Sequence, residues 1–198
     1  MQKLIISLLF LAVSVSVTAQ QNELVRFESR RASITKKSML VLGGWSAANI
    51  ITSAFATKTH NTEMRYFHQM NVQWNSVNLF LAALGYLGAG KEDFGKPVTL
   101  ARVLKHQHGA EKTYLLNAGL DAAYIAAGLY LTERSKSRLN PARLKGYGND
   151  IMFQGGFLLL YDAANYIIHH SHGKKLDAIL DKVELSPAAG GVGLVYRF

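Results

Sequence analysis

Tyr114 to Thr132 reads YLLNAGLDAAYIAAGLYLT, a run with no Lys or Arg and one carboxylate, Asp121. It approaches the ~20 residues that a bilayer demands of a spanning helix. Asn117, Asp121 and Tyr124 stand at i, i+4 and i+7, so on a helix they share one face. A carboxylate at the centre of a bilayer costs at least ~2.5–3.5 kcal/mol on insertion scales, so that face must turn toward other helices.

Three further segments repeat the pattern. Ser38 to Ala56 is uncharged and carries Ser46, Asn49 and Ser53; Val72 to Gly90 is uncharged and opens with Gln73, Trp74, Asn75 and Asn78. Ile151 to His169 holds Gln154, Asp162, Asn165 and His169. Small residues flank each stripe, among them Gly43, Gly44, Ala82, Gly85, Ala122, Ala123, Gly155 and Gly156, and they allow close helix approach. The expectation is an all-α fold: a four-helix membrane bundle over residues 38–170, with its polar groups inside.

The flanks divide accordingly. Residues 1–19 have the order of a secretory signal peptide: Lys3, the apolar run Leu4 to Val17, and small residues ending at Ala19. Residues 20–37 form a basic lead-in with Arg26, Arg30, Arg31, Lys36 and Lys37, either a short interfacial helix or a solvated stretch. The connections Lys58 to Arg65, Lys91 to Lys112 and Glu133 to Asn149 are charged and contain Pro97 and Pro141; within the second, Val98 to Lys105 predicts a short surface helix. In residues 171–198, Leu176, Ile179, Leu180 and Val183 predict an amphipathic helix stopped by Pro187, and Val192, Leu194, Tyr196 and Phe198 alternate like a strand.

Two hairpins in tandem are suggested by an ungapped internal match. Leu40, Gly44, Ser46, Asn49 and Thr57 align with Leu115, Gly119, Asp121, Tyr124 and Thr132, and Trp74, Asn75 and Leu79 align more loosely with Phe153, Gln154 and Leu158. Similarity by chance between two small-residue-rich helices is the other account.

Composition narrows the class. The formal charge is +9, yet the basic residues lie between apolar segments, which favours anionic lipid headgroups over nucleic acid as a partner. Hydrophobic residues make up 49% and charged ones 18%, too apolar for a disordered chain. Mean hydropathy is only +0.07, low for a multi-span protein, so an exported soluble bundle is the alternative. There is no Cys, hence no disulfide and no thiolate chemistry.

The residues nominated for a ligand or ion pocket are Asn49, His68, Asn71, Asn75, Asn78, Asn117, Asp121, Tyr124, Gln154, Asp162, Asn165 and His169. Asp121 and Asp162 lead, because an ionisable group inside a spanning segment commonly marks a proton, ion or ligand path; helix-to-helix glue is the competing role. His68 with Gln69, Asn71, Trp74 and Asn75 forms the densest polar and aromatic patch, either a pocket mouth or a headgroup-level belt. Asp162, Tyr166 and His169, at i, i+4 and i+7 with His170 and His172 nearby, could hold a metal or relay a proton, though no His-x-x-x-His or Glu-x-x-His motif completes a first shell. His169 to His172 sit at a helix end, where a membrane-interface cluster is the duller account. No phosphate cradle, nucleophile elbow or His-Glu-x-x-His pattern nominates a reaction or a cofactor.

Met39 to Trp45, His68-Gln69-Met70-Asn71, Trp74-Asn75 to Leu79 and the Asp121 and Asp162 helices resemble an uncharacterised family of small exported bacterial membrane proteins, a domain of unknown function. The resemblance covers most of the chain after the signal; it implies a multi-pass helical fold in the cytoplasmic membrane and carries no activity or site residue. Orientation meets two opposed rules. A cleaved signal places Gln20 outside, yet the connections then facing the cytoplasm hold fewer Lys and Arg than the opposite side. The function expected is binding or passage of a small polar molecule, ion or proton; a structural or assembly role without ligand is the alternative.

Overall fold

In the computed structural model, residues 2–89, 98–180, 183–188 and 191–196 are described. They form α1 (Gln2–Ala56), α2 (Thr62–Gly88), α3 (Leu100–Ser135) and α4 (Ala142–Leu180), followed by an antiparallel hairpin of β1 (Val183–Ala188) and β2 (Gly191–Tyr196). The all-α, four-helix architecture expected from the stripes is the one observed.

Local chemistry sets the helix ends. Asn61 caps α2 by accepting from the Met64 amide at 3.1 Å, and Thr99 caps α3 by accepting from the Arg102 amide at 3.3 Å, each satisfying one of the orphan donors of a helix start. Pro141 precedes α4 and accepts from the Lys145 amide with its carbonyl, the position where a missing N–H costs nothing.

The helices are longer than the apolar segments within them, and several boundaries shift in consequence. The basic lead-in is continuous helix with α1, because Leu24 and Phe27 have something to bury against: Val103 at the start of α3 and Leu176 near the end of α4. The short surface helix expected at Val98 to Lys105 is instead the first turns of α3, and Leu176 to Leu180 ends α4 rather than forming a separate helix. His169 and His172 therefore lie well inside α4 and are buried, not at a helix end. Pro187 stops no helix; it pairs with Val192 in the hairpin. Of the second connection, Lys91 to Pro97 lies outside the described residues, as does Phe198.

α3 packs along α4, α1 along α2, and α2 along α4, whereas the α2 and α3 backbones do not pack directly. One column of buried positions in each helix recurs every seven residues. In α3 it is Gln107, Tyr114, Asp121, Gly128 and Ser135; in α4, Gly148, Gly155, Asp162, His169 and Leu176. Such a period keeps one face of each helix against its neighbour over many turns, as in a left-handed coiled coil. Several positions matched between the two hairpins take the same side, Leu40 and Leu115 exposed, Ser46 and Asp121 buried, Asn75 and Gln154 buried, whereas Leu79 is exposed and its match Leu158 buried.

The inward column is polar and the outward face is not. Ser46, Asn75, Gln154 and His169 are 0% exposed, while Phe55, Leu116 and Leu160 are 76%, 67% and 74% exposed. α1 over Gln21–Ala56 and α4 over Ala142–Asp177 are each long and apolar enough to cross a membrane.

Glycines set the closest approach. A Cβ on Gly148 would lie 2.7 Å from the Gly128 carbonyl oxygen and 2.6 Å from Thr132 Oγ1, and a Cβ on Gly128 would lie 2.6 Å from the Gly148 oxygen. Backbone cannot yield to such contacts. Gly148→Val is expected to destabilise the fold by about 2–3 kcal/mol by overpacking, whereas Gly44→Ala, with nothing within 4 Å of the added methyl, should gain about 0.5–1 kcal/mol of helix stability. Thermal unfolding of the purified protein followed by circular dichroism measures both; equal stability of Gly148→Val and the unaltered chain would refute the α3–α4 contact.

Candidate functional site

Three polar groupings occupy the bundle interior at successive levels. The first lies where α1 ends and α4 begins. Ser53 Oγ donates to Asn71 Oδ1 at 2.9 Å, and Asn71 Nδ2 donates to Asp150 Oδ1 at 2.7 Å. Since the one Ser53 proton is committed to Asn71, His68 must donate to Ser53 Oγ from Nδ1, 3.1 Å away. Asn75 Nδ2 adds a bond to the Asn71 carbonyl at 2.9 Å, and Trp45 Nε1 donates to Gln154 Oε1 at 3.2 Å while its ring stacks on Phe157. The donors thus point one way, from α2 through α1 to the carboxylate of α4. This network ties three helices, with Asn75 Oδ1, Asp150 Oδ2 and Gln154 Nε2 left without a partner.

At the opposite end Glu28 is the organising acceptor. Arg31 Nη2 donates to its Oε1 at 2.7 Å, Arg31 Nε lies 3.1 Å from both oxygens, and His106 Nδ1 is 2.6 Å from Oε1. Nearby, His172 stacks on Phe27 and bonds the Phe27 carbonyl, joining α4 to α1. Ser38 donates to Asn165 Oδ1, and Gln107 Nε2 donates to Glu111 and to the His169 carbonyl.

Between these two levels lies a cavity of ≈ 770 Å³. α2 and α3 form its two sides, through Trp74, Val77, Asn78 and Leu81 on one and Thr113, Tyr114, Asn117, Leu120, Asp121 and Tyr124 on the other; α4 supplies Leu158, Tyr161 and Asp162, and α1 supplies Arg31, Thr35, Met39 and Leu42. It exists because the α2 and α3 backbones stay apart, and Gly85 leaves room for Met39, whose Sδ would be 2.5 Å from a Cβ there. Its walls are chiefly apolar.

The polar groups gather at one end of this space. Asp121 of α3 and Asp162 of α4 lie within side-chain hydrogen-bonding reach of each other at the cavity wall, and Asn117 lies beside Asp162. Two carboxylates offer only acceptors, so a hydrogen bond between them requires one to hold a proton. Asn78 is 7% exposed and its Nδ2 has no partner; Trp74 Nε1 and Asp121 Oδ2 are also buried without a conventional one. Leaving a buried polar atom unpaired costs about 1–3 kcal/mol, so these three are groups poised for something else to bind. Rings surround them: Trp74 meets Tyr124 edge-on at 4.9 Å, and Tyr114 meets Tyr161 at 6.4 Å.

Of the residues singled out in the sequence, Asn78, Asn117, Asp121, Tyr124 and Asp162 line the cavity. His68, Asn71, Asn75 and Gln154 belong to the network beside Asp150. Asn165 pairs with Ser38, His169 is buried against Tyr114 with a ring separation of 5.2 Å, and Asn49 donates to the Trp45 carbonyl of its own helix. Tyr166 stacks on His170 rather than joining Asp162. Sequence reasoning missed Asp150, which sits one position outside the apolar segment, and the cavity residues Arg31, Tyr114 and Tyr161. The seven-residue column of α3 contains the signal that finds Tyr114, and Arg31 continues the 3–4 spacing that runs from Leu24 through Ser38 to Leu42.

Neither a curated protein nor a solved structure matches the chain. A family model does match, over residues 41–163, more than half of the chain and a span that takes in both Asp121 and Asp162. The chain belongs to that family, described as a family of unknown function, DUF6992.

Proposed function

We propose that this protein is a multi-pass protein of the cytoplasmic membrane, exported through its N-terminal signal, whose helices enclose a site that binds or passes a small polar molecule, ion or proton at Asp121 and Asp162. The observation that carries the reading is the inversion of burial. Amides, hydroxyls and carboxyls make up much of the inside, beside an apolar cluster of Leu42, Ala82, Tyr114, Leu158 and Tyr161, and Phe55, Phe80, Leu116, Leu160 and Ile167 face out. Soluble monomers rarely present contiguous apolar surface beyond a few hundred Å², whereas hydrocarbon solvates such a surface at no cost and drives polar groups inward.

The charge distribution supports it. From Ser38 to Ala56, Tyr66 to Gly88, Thr113 to Thr132 and Ile151 to Gly173 there is no Lys or Arg, and Ser38 to Ala56 covers about 28 Å at 1.5 Å per residue, close to the ~30 Å of a hydrocarbon core. Basic residues frame this belt at both ends, Arg26, Arg30, Lys37 and Lys174 at one and Lys58, Arg134, Arg138 and Arg143 at the other, where anionic headgroups would meet them.

Because the chain has no Cys, single cysteines report on each face. In intact membranes, Leu160→Cys should resist a charged, water-soluble thiol reagent that modifies a loop control, Ser137→Cys, within minutes, and both should react once the chain is unfolded in detergent. Equal reaction rates for the two positions in membranes would rule out the bilayer reading. For the site, Asp121→Asn and Asp162→Asn should each abolish ligand retention in the purified protein, read by native mass spectrometry, with helicity unchanged. Loss of folded protein in both variants would instead assign the pair to helix association.

A further inference from the structure

Three features of the cavity bear on what it holds, granted that it is a ligand site within a bilayer. Its size comes first: ≈ 770 Å³ falls in the range of pockets for whole organic molecules, roughly 300–1,000 Å³, and far exceeds what an ion or a proton path needs. Its long axis follows α3 from His106 to Tyr124, about 27 Å at 1.5 Å per residue, and its two sides are helices that do not pack on one another. The lips of that gap are Val77, Leu81 and Leu120, all apolar and 59%, 52% and 46% exposed. A molecule dissolved in hydrocarbon meets no polar barrier there.

Charge comes next. Asp121 and Asp162 place two carboxyl groups in contact at the closed end, and a pair that shares one proton still carries a negative charge. The cationic groups of the cavity, Arg31, Lys105 and His106, lie at the far end, where Glu28 holds Arg31 and His106; from His106 to Asp121 is about 22 Å along α3. An anionic head therefore finds no complement at the acidic end. A hydrocarbon tail placed there would leave the carboxyls and the Asn78 amide against CH₂ groups, which is the costly arrangement for buried polar atoms.

The rings come last. Trp74, Tyr114, Tyr124 and Tyr161 all line the space around the carboxyl pair, and aromatic faces attract cations most strongly when water is excluded. We infer that the Asp121–Asp162 cavity binds a membrane-soluble organic cation, an amphipathic amine or onium compound, that enters sideways between α2 and α3 and sets its positive centre against the carboxyl pair among these rings. This rests on the proposed membrane location and on that pair as the ligand site, and it adds the charge, the size class and the route.

Tetraphenylphosphonium and tetraphenylborate have the same shape and opposite charge, so they separate charge recognition from filling of an apolar slot. With the full chain in lipid nanodiscs, labelled tetraphenylphosphonium should bind saturably at one site, unlabelled compound should displace it, and tetraphenylborate should not compete at equal free concentration. Asp162→Asn and Asp121→Asn should weaken binding by at least about tenfold, Asp162→Glu should retain it, and Leu81→Trp, which fills the lip, should slow association more than dissociation. Competition by tetraphenylborate as strong as by the cation, or no saturable cation binding to a folded, membrane-inserted chain, overturns the inference while leaving the membrane reading intact. Binding lost on Lys105→Ala but kept in both Asp variants overturns it in favour of an anionic ligand at the far end. The comparison of the two probes uses the unaltered chain, so it decides the matter even where the variants fail to fold.

Discussion

On the proposed membrane reading, every polar group inside this bundle must find its partner inside, because the surface around the middle of the helices offers none. That constraint organises the rest. A bundle with an apolar core can repack by sliding one greasy surface over another; one whose inward column reads Ser46, Asn75, Asp121, Gln154 and Asp162 has each helix fixed by the direction of its hydrogen bonds. The run of donors from His68 through Ser53 and Asn71 to Asp150 works in one register of α1 against α2 and α4. Shifting any of the three by a residue would turn an amide toward the outer face, where nothing pairs with it.

Much of this was legible in the sequence because the helical period sorts residues by chemistry. Asn71, Asn75 and Asn78 at i, i+4 and i+7 and the lone carboxylates of the third and fourth segments indicated both the number of helices and which side faced in. The ends were less legible. An apolar window marks where a helix carries an apolar surface, not where hydrogen bonding stops, so the stretches before Ser38, before Tyr114 and after His169 read as lead-in, loop and tail. They are helical because Leu24, Phe27, Val103 and Leu176 close a small apolar cluster of their own, a long-range contact with no local signature. The hairpin after α4 was half visible, as the alternation in its second strand; the first strand, with Glu184 and Pro187, alternates too little to be found alone.

The site was legible in its acids and not in its shape. Asp121 and Asp162 are conspicuous in any apolar helix, and the column that buries them could be read at seven-residue spacing. That they meet one another depends on how closely α3 approaches α4, which is set by Gly128, Gly148 and Gly155 at positions where a side chain would strike backbone. That a cavity opens beside them depends on the α2 and α3 backbones staying apart, with Trp74 and Tyr124 meeting edge-on across the gap. Sequence patterns report surfaces that must be covered and are silent on how far apart two backbones stand.

The contrast between the two acidic levels separates structure from function. Asp150 is 0% exposed and takes a 2.7 Å bond from Asn71, which is itself held by Ser53; its surroundings are amides and hydroxyls from three helices, and it does not line the ≈ 770 Å³ cavity. Asp121 and Asp162 are as deeply buried, yet they face each other beside ≈ 770 Å³ of space, and the groups around them, Asn78 and Trp74, have donors left over. Glue alone would favour the first arrangement at both levels, since a void next to an unpaired amide forfeits both packing and a hydrogen bond. The family match embraces both levels, but only the second combines a carboxyl pair, unspent donors, aromatic rings and room for a guest. Unpaired atoms remain at both levels, Asn75 Oδ1, Asp150 Oδ2 and Gln154 Nε2 at the first and Asn78 Nδ2, Trp74 Nε1 and Asp121 Oδ2 at the second, but the second set lines ≈ 770 Å³ of space, and a bound molecule there is what would pair it.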